Sequence, residues 1–262
     1  MTRSDQEVLE RELRYHEKLY SGFAQRHFAR PAVRALRAHM AERILRLLPD
    51  ARSARVLSLG CGIGDTEILL APHVREVRGV DLSPAAIRQA NEDAARAGLK
   101  NTDFFEGSLG SFEGEFDLIF GIFFLHHLPD AMLEAAPAQI KALLAPGGQV
   151  YALDPNKYRL SGAIGSLLIP KLMRKYQTDD ERELDPEPTA ALFRKAGYTC
   201  TVGYYDFLSS PLAGLFPGWR GGYNVARAAD NAITRIPLVQ RLGSNFELVA
   251  SFPPPAVKSR IV

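Results

Sequence analysis

Three glycines and one acid carry the first chemical signal of this chain. Gly60, Gly62 and Gly64 follow a short apolar run containing Val56, Leu57 and Leu59, and Asp81 stands 21 positions after Gly60. Glycines after a strand let the backbone turn sharply and approach a ligand with no Cβ in the way. A helix opening near Asp65 turns its free N–H groups toward the same space, and an acid at the end of the next strand can accept both hydroxyl protons of a ribose. Together these residues describe the binding of a nucleoside. Two adjacent imidazoles, His126 and His127, and a carboxylate, Asp154, are the groups placed to move protons. A metal site would need further ligands, and His126 with Asp130 is a lone pair of candidates, so no metal is expected.

The elements that must position these groups alternate along the chain. The run from Val56 ends at the glycines, Val77 to Val80 deliver Asp81, and Ser83 with Pro84 starts a helix that Gly98 ends. DFFEG from Asp103 reads as a third strand. FDLIFGIFF, residues 116–124, reads as a fourth with the continuous apolarity of a strand buried on both faces. A helix over about residues 131–144, a turn at Pro146, Gly147 and Gly148, and a fifth strand ending at Asp154 follow. Five strands with helical crossovers imply a doubly wound parallel sheet. Before it, residues 4–48 read as helices split at Pro31; after it come a helix near residues 187–196 and two late strands, YTCTVGYYDF and FELVASF.

A chain of 262 residues, 46% hydrophobic and 24% charged, is large enough for one α/β domain with additions. A net charge of +2 gives no global reason to expect a polyanion partner. Cys61 and Cys200 alone cannot make a disulfide framework, the charged start argues against a secretory signal, and the longest apolar run is too short to span a bilayer. A cytoplasmic protein is expected.

Read in order, LSLGCGIGD, VDLSPAAIRQA, FFEGSL, FDLIFGIFFLHHLPD and LLAPGGQVYALDPN resemble the class I S-adenosylmethionine-dependent methyltransferases, in particular the small-molecule group that acts on quinones and lipids. A nicotinamide dehydrogenase is the nearest competitor for the first segment. Its fingerprint wants the third glycine three positions after the second, whereas Gly64 is two after Gly62. The resemblance implies a seven-stranded, mostly parallel Rossmann-like sheet whose last strand is antiparallel, S-adenosylmethionine as cofactor and methyl transfer as the reaction. It also implies that Gly60, Cys61, Gly62 and Gly64 form the cofactor loop toward the methionine part, that Asp81 holds the ribose, and that Leu82 and Ser83 border the adenine. Ser108 takes the place of an aspartate that receives the adenine amino group in many relatives, Gly121 and Ile122 meet the cofactor at the end of the fourth strand, and Tyr15 or Tyr20 caps the site. On this division residues 1–50 are a helical cap, 51–252 the methyltransferase domain and 253–262 a disordered tail.

Methyl transfer from a sulfonium needs alignment and exclusion of water, and a base only where the acceptor must lose a proton. His126 and His127 are the candidate bases. They cannot both reach one pocket from extended backbone. Asp154 is the third candidate, with Asn156 and Tyr158 beside it. GIFF stands where relatives that methylate base or glutamine amino groups carry an NPPY-type tetrapeptide, which weighs against those substrates. Two apolar inserts, about residues 157–185 and 208–245, follow strands whose carboxyl ends face the pocket and are expected to be lids over a small apolar acceptor. Arg220, Arg227, Arg235 and Arg241 offer a phosphate site or a peripheral membrane contact, and no nucleic acid partner is expected. The expected function is methyl transfer to an oxygen or carbon of a small, largely apolar metabolite, and the alternative is a methyltransferase-like binding protein that has lost transfer, with Ser108 as its sequence hint.

Overall fold

The computed structural model describes residues 27–162 and 183–252, with residues 11, 13 and 14 ahead of them. Seven strands make one sheet: β1 (Arg55–Leu59), β2 (Glu76–Asp81), β3 (Thr102–Glu106), β4 (Phe116–Ile122), β5 (Leu144–Pro155), β6 (Thr199–Asp206) and β7 (Asn245–Ser251). Their spatial order is β3-β2-β1-β4-β5-β7-β6. β7 runs antiparallel to both of its neighbours, and every other pairing is parallel. The order reverses direction beside β1, and in such sheets ligands bind at that point, outside the carboxyl ends of the strands.

Successive strand residues face opposite sides, and both sides are covered. Val56, Leu118, Phe120, Tyr151 and Leu153 pack with Met40 and Ile44 of helix α1 (Pro31–Leu45), whereas Leu57, Ile119, Val150 and Ala152 form a second core with residues of helices α4 (Asp130–Lys141) and α5 (Pro186–Lys195). Pro31 opens α1, a position where its missing N–H costs nothing. Between these helices lie α2 (Glu67–Leu70) and α3 (Pro84–Arg96). The helix expected near Asp65 is therefore one turn only. It gives way to a 3-10 turn at Ala71–His73, because Pro72 has no N–H to continue the ladder.

The Pro146–Gly148 turn lies within β5 rather than ahead of it. Leu144 pairs with Phe116, the next pair is Gln149 with Leu118, and Gly147 takes the left-handed conformation at φ +81° in the shift between them. The second insert folds into α6 (Ser209–Leu215) and α7 (Arg220–Ile233), whose Ala213 and Tyr223 join the core beneath α1. Buried Asp230 of α7 accepts N–H bonds from Phe207, Leu208 and Ser209 at 3.0, 3.0 and 2.9 Å, which fixes the start of α6. These helices extend the layer of α1, and none of their residues lines the cavity at the glycine loop, so the expectation of a lid there does not hold for them. Arg227 is also unavailable to a phosphate or a membrane. It is buried, donates from Nη2 to the Tyr205 carbonyl at 2.7 Å and lies 4.8 Å from the Tyr205 ring centre. The central part of the first insert, the tail and the capping tyrosines Tyr15 and Tyr20 lie outside the described residues. Among the described residues no helix is long and apolar enough to cross a membrane.

One glycine is fixed by space alone. A Cβ on Gly79 in β2 would stand 2.6 Å from the Phe104 ring and 2.9 Å from Cys61 Sγ, and both neighbours are buried. Gly79→Ala is expected to destabilise the protein by about 1–3 kcal/mol through overpacking. Urea unfolding of the purified variant checks this, and an unchanged midpoint would show that Phe104 and Cys61 give way freely.

Candidate active site

A cavity opens at the carboxyl edge between β1 and β4. Gly60, Cys61 and Gly62 form its floor, with Ile122, Phe123 and His127 on one side and Phe28 and Arg37 on the other. Gly60, Gly62 and Gly64 have φ of +65°, +52° and +72°, a region costly for residues with a Cβ. The loop is held by its own backbone: Cys61 N–H donates to the Val80 carbonyl and Gly64 N–H to the Cys61 carbonyl, both at 3.0 Å. Asp81 completes the hold. Its Oδ2 accepts from Gly62 N–H at 2.8 Å and its Oδ1 from Ser83 N–H at 2.9 Å. A carboxylate has about four acceptor sites, so both oxygens keep capacity for ribose hydroxyls.

The other expected cofactor residues separate into those at the cavity and those behind it. Ile122 lines the cavity, and Gly121 lets the Phe124 side chain approach to 3.0 Å of where a Cβ would be. Gly64 instead packs against Phe104 and Ala90, giving α3 its close approach to the loop. Leu82 is exposed, whereas Ser83 is fully buried and spends its hydroxyl accepting the Ala86 N–H at the start of α3. Ser108 is an exposed residue just past β3, next to Gly107, whose N–H donates to the Asp81 carbonyl.

The two histidines sit on a tight 3-10 turn at Leu125–His127 with their rings packed together, and they differ in what they meet. His126 is buried and its Nδ1 lies 2.8 Å from Asp154 Oδ1, which also accepts the His126 backbone N–H at 3.2 Å. Asp154 is itself fully buried and is not among the residues that line the cavity, and its Oδ1 holds the His126 ring and backbone. His127 lines the cavity, with its ring centre 3.9 Å from that of His126. Asn156 is likewise structural: its Nδ2 donates to the carbonyls of Arg241 and Gly243, both at 2.8 Å. Tyr158 donates its hydroxyl to Asp185 at 2.6 Å.

Two cavity residues, Arg37 and Glu67, carry chemistry that sequence reading missed. Arg37 on α1 pairs through Nε with Asp65 Oδ2 at 2.9 Å and lies over the Phe28 ring at 5.1 Å. Glu67 is almost wholly buried, and its Oε1 accepts from Ser58 Oγ at 2.5 Å. Burial, followed by the nearby Asp65 charge, pushes the Glu67 carboxyl up to about 7. Burial also raises the Cys61 thiol well above its ordinary value, which leaves it a poor nucleophile. In the sequence Glu67 is one of many acids at a helix start, and Arg37 one of many arginines on a helix; only the fold places them at one cavity.

Comparison with known proteins agrees with this geometry. A model described as a methyltransferase domain matches residues 32–201, a span that begins inside α1. The ubiquinone biosynthesis O-methyltransferase of Aromatoleum aromaticum is 34% identical over 151 residues, covering 55% of this chain and 63% of that protein, and the one from Thiobacillus denitrificans is 32% identical over the same length. This chain thus spans less than two thirds of those relatives. A 23S rRNA (uracil(1939)-C(5))-methyltransferase of Stenotrophomonas maltophilia is 40% identical over only 74 residues, 17% of its length. Among solved structures, DhpI bound to S-adenosylhomocysteine matches with a TM-score of 0.58 at 18% identity, covering 95% of this chain and 98% of that one. The [4+2]-cyclase SpnF matches with 0.57 at 18%, covering 83% and 82%. With its methyltransferase-domain match over most of the sheet, a glycine loop clasped by Asp81 and a seven-stranded sheet closed by an antiparallel strand, this chain belongs to the class I S-adenosylmethionine-dependent methyltransferases.

Proposed function

We propose that this protein transfers a methyl group from S-adenosylmethionine to a hydroxyl oxygen of a small, largely apolar molecule of the phenol or catechol type. The observation that carries an acceptor which must lose a proton is His127, an imidazole in the cavity wall beside the buried His126–Asp154 pair, and the choice of oxygen over carbon rests on the names of the relatives. An oxygen acceptor must lose a proton, and an imidazole titrates in the range where it can take one.

The residues present fit the cofactor. Asp81 has acceptor capacity for ribose hydroxyls, the Gly60–Gly62 backbone leaves room for the methionine part, and the guanidinium of Arg37 is placed for its carboxylate. When bound, S-adenosylmethionine supplies a methyl activated by a cationic sulfur. With the acceptor hydroxyl held in the cavity, His127 would receive its proton, and the sulfur would leave as the neutral thioether. Phe28, Ile122 and Phe123 keep water from the reacting atoms. Exposed Phe216, Trp219 and Arg220 on the second insert support a peripheral lipid contact from which an apolar acceptor is gathered.

The reading is tested with radiolabelled S-adenosylmethionine and three acceptors: a short-chain prenyl catechol, the same compound with both hydroxyls blocked, and an rRNA fragment containing the uracil context. Label is expected in the free catechol alone; label in the RNA alone would replace this reading with an RNA one. In the same preparation Asp81→Ala is expected to weaken cofactor binding by about 1–3 kcal/mol, because the ribose acceptor and the clasp on Gly62 disappear together. Calorimetric titration checks this, and unchanged affinity would remove Asp81 from the ribose role.

A further inference from the structure

Glu67 is a buried carboxylate with only half of its hydrogen bonding accounted for. Oε1 is held by Ser58, but Oε2 has no hydrogen-bond partner among the described residues, and neither has the buried hydroxyl oxygen of its neighbour Thr66. Both residues line the cavity beside Gly60 and Cys61. Buried acceptors left open in this way are costly unless something completes them. The groups that face Glu67 are Asp65 on the preceding loop, Arg37 on α1, Cys61 on the glycine loop and Ser58 on β1. Arg37 pairs through Nε with Asp65 and favours the ionised form of Glu67 only as the last of its influences, behind burial and the Asp65 charge that oppose it.

Resting on the cofactor assignment above, we propose that Glu67, with Thr66 beside it, is the partner of the α-ammonium group of the cofactor's methionine half. The chemistry of the open acceptors selects that group. A sulfonium carries charge but no N–H, so it cannot complete Oε2 and the Thr66 hydroxyl, whereas an ammonium carries three donors on one centre. The ribose is already served from the opposite end of the loop by Asp81.

A consequence follows for protons. Burial and Asp65 keep much of Glu67 protonated in the free protein near neutral pH, with its midpoint at about 7. An ammonium alongside favours the ionised form, so binding expels the proton below that midpoint. Affinity for the cofactor therefore rises with pH toward about 7, and falls again once the ammonium itself loses its proton at about pH 8.

Titration calorimetry at pH 6 in two buffers of different ionisation enthalpy counts the protons. The wild-type protein is expected to release about one proton on binding either S-adenosylmethionine or S-adenosylhomocysteine. Glu67→Gln is expected to release none and, at pH 8, to bind both about tenfold or more weakly. An S-adenosylhomocysteine analogue lacking the α-amino group keeps the test independent of any variant's folding: on the wild type it should release no proton and bind more weakly. A variant equal to the wild type in affinity and proton count overturns the proposal, as does a loss confined to S-adenosylmethionine, which would assign Glu67 to the sulfonium. A wild-type protein that binds neither compound overturns the cofactor assignment itself.

Discussion

Replacing His127 with alanine is expected to slow methyl transfer to a hydroxyl by about 10²–10⁴-fold, the usual span for a positioned general base, while leaving the cofactor's dissociation constant within about twofold of the wild type. The glycine loop and Asp81 are held by the Cys61–Val80, Gly64–Cys61, Gly62–Asp81 and Ser83–Asp81 bonds, none of which uses His127, so only the proton route is lost. A sharper readout comes from the acceptor. Phenols acidic enough to be ionised at the assay pH need no base, so the deficit of His127→Ala should shrink as acceptor acidity rises. Steady-state rates over a series of ring-substituted catechols measure this. Equal deficits across the series would show that His127 shapes the cavity and takes no proton.

Asp154→Ala is expected to be the most damaging change to the fold, lowering stability by about 3–5 kcal/mol. It strips the acceptor from two buried donors of His126, its ring nitrogen and its backbone N–H, in a place water cannot reach. The rings of His126 and His127 lie 3.9 Å apart, so loss of Asp154 also releases the neighbour in the cavity wall. Chemical unfolding and turnover together test the pair. Asp154→Asn keeps one acceptor oxygen and is expected to recover part of the stability. A variant with wild-type stability and no activity would mean that Asp154 meets the acceptor directly after all.

Much of this protein is legible in its sequence because its strands obey strong local rules. The apolar run of β4 announces a strand covered on both faces, Ser83 followed by Pro84 announces the start of α3, and the glycines with Asp81 announce a nucleoside-binding turn. The antiparallel placement of β7 came through resemblance, since periodicity carries no information on strand direction. Two kinds of feature stayed hidden. The first is the function of a group that depends on its surroundings: Glu67 resembles any acid at a helix start until Ser58, Asp65 and the cavity are assembled around it. The second is the partner of an apolar face. The residues of the second insert are apolar enough for a lid, yet Ala213 and Tyr223 bury against α1, and Arg227 is drawn inward onto Tyr205. A hydrophobic face shows that something must cover it and leaves open which of two nearby surfaces does so. His126 and His127 illustrate a milder case: alternation applies to extended backbone, whereas these residues form a 3-10 turn with their rings 3.9 Å apart, and only the fold shows that Asp154 claims the first.

On the proposed function, the cavity lined by the glycine loop and His127, with Asp81 bonded to Gly62, holds a sulfonium nucleoside whose methyl group leaves for an oxygen. Its most direct measurement is single-turnover transfer of a labelled methyl from S-adenosylmethionine to a prenyl catechol, followed with wild type, Asp81→Ala and His127→Ala in parallel. Expected are transfer by the wild type, transfer by Asp81→Ala that recovers as cofactor concentration is raised, and slow transfer by His127→Ala at every cofactor concentration. Transfer by His127→Ala at the wild-type rate, with Asp81→Ala equally indifferent to cofactor concentration, would contradict it.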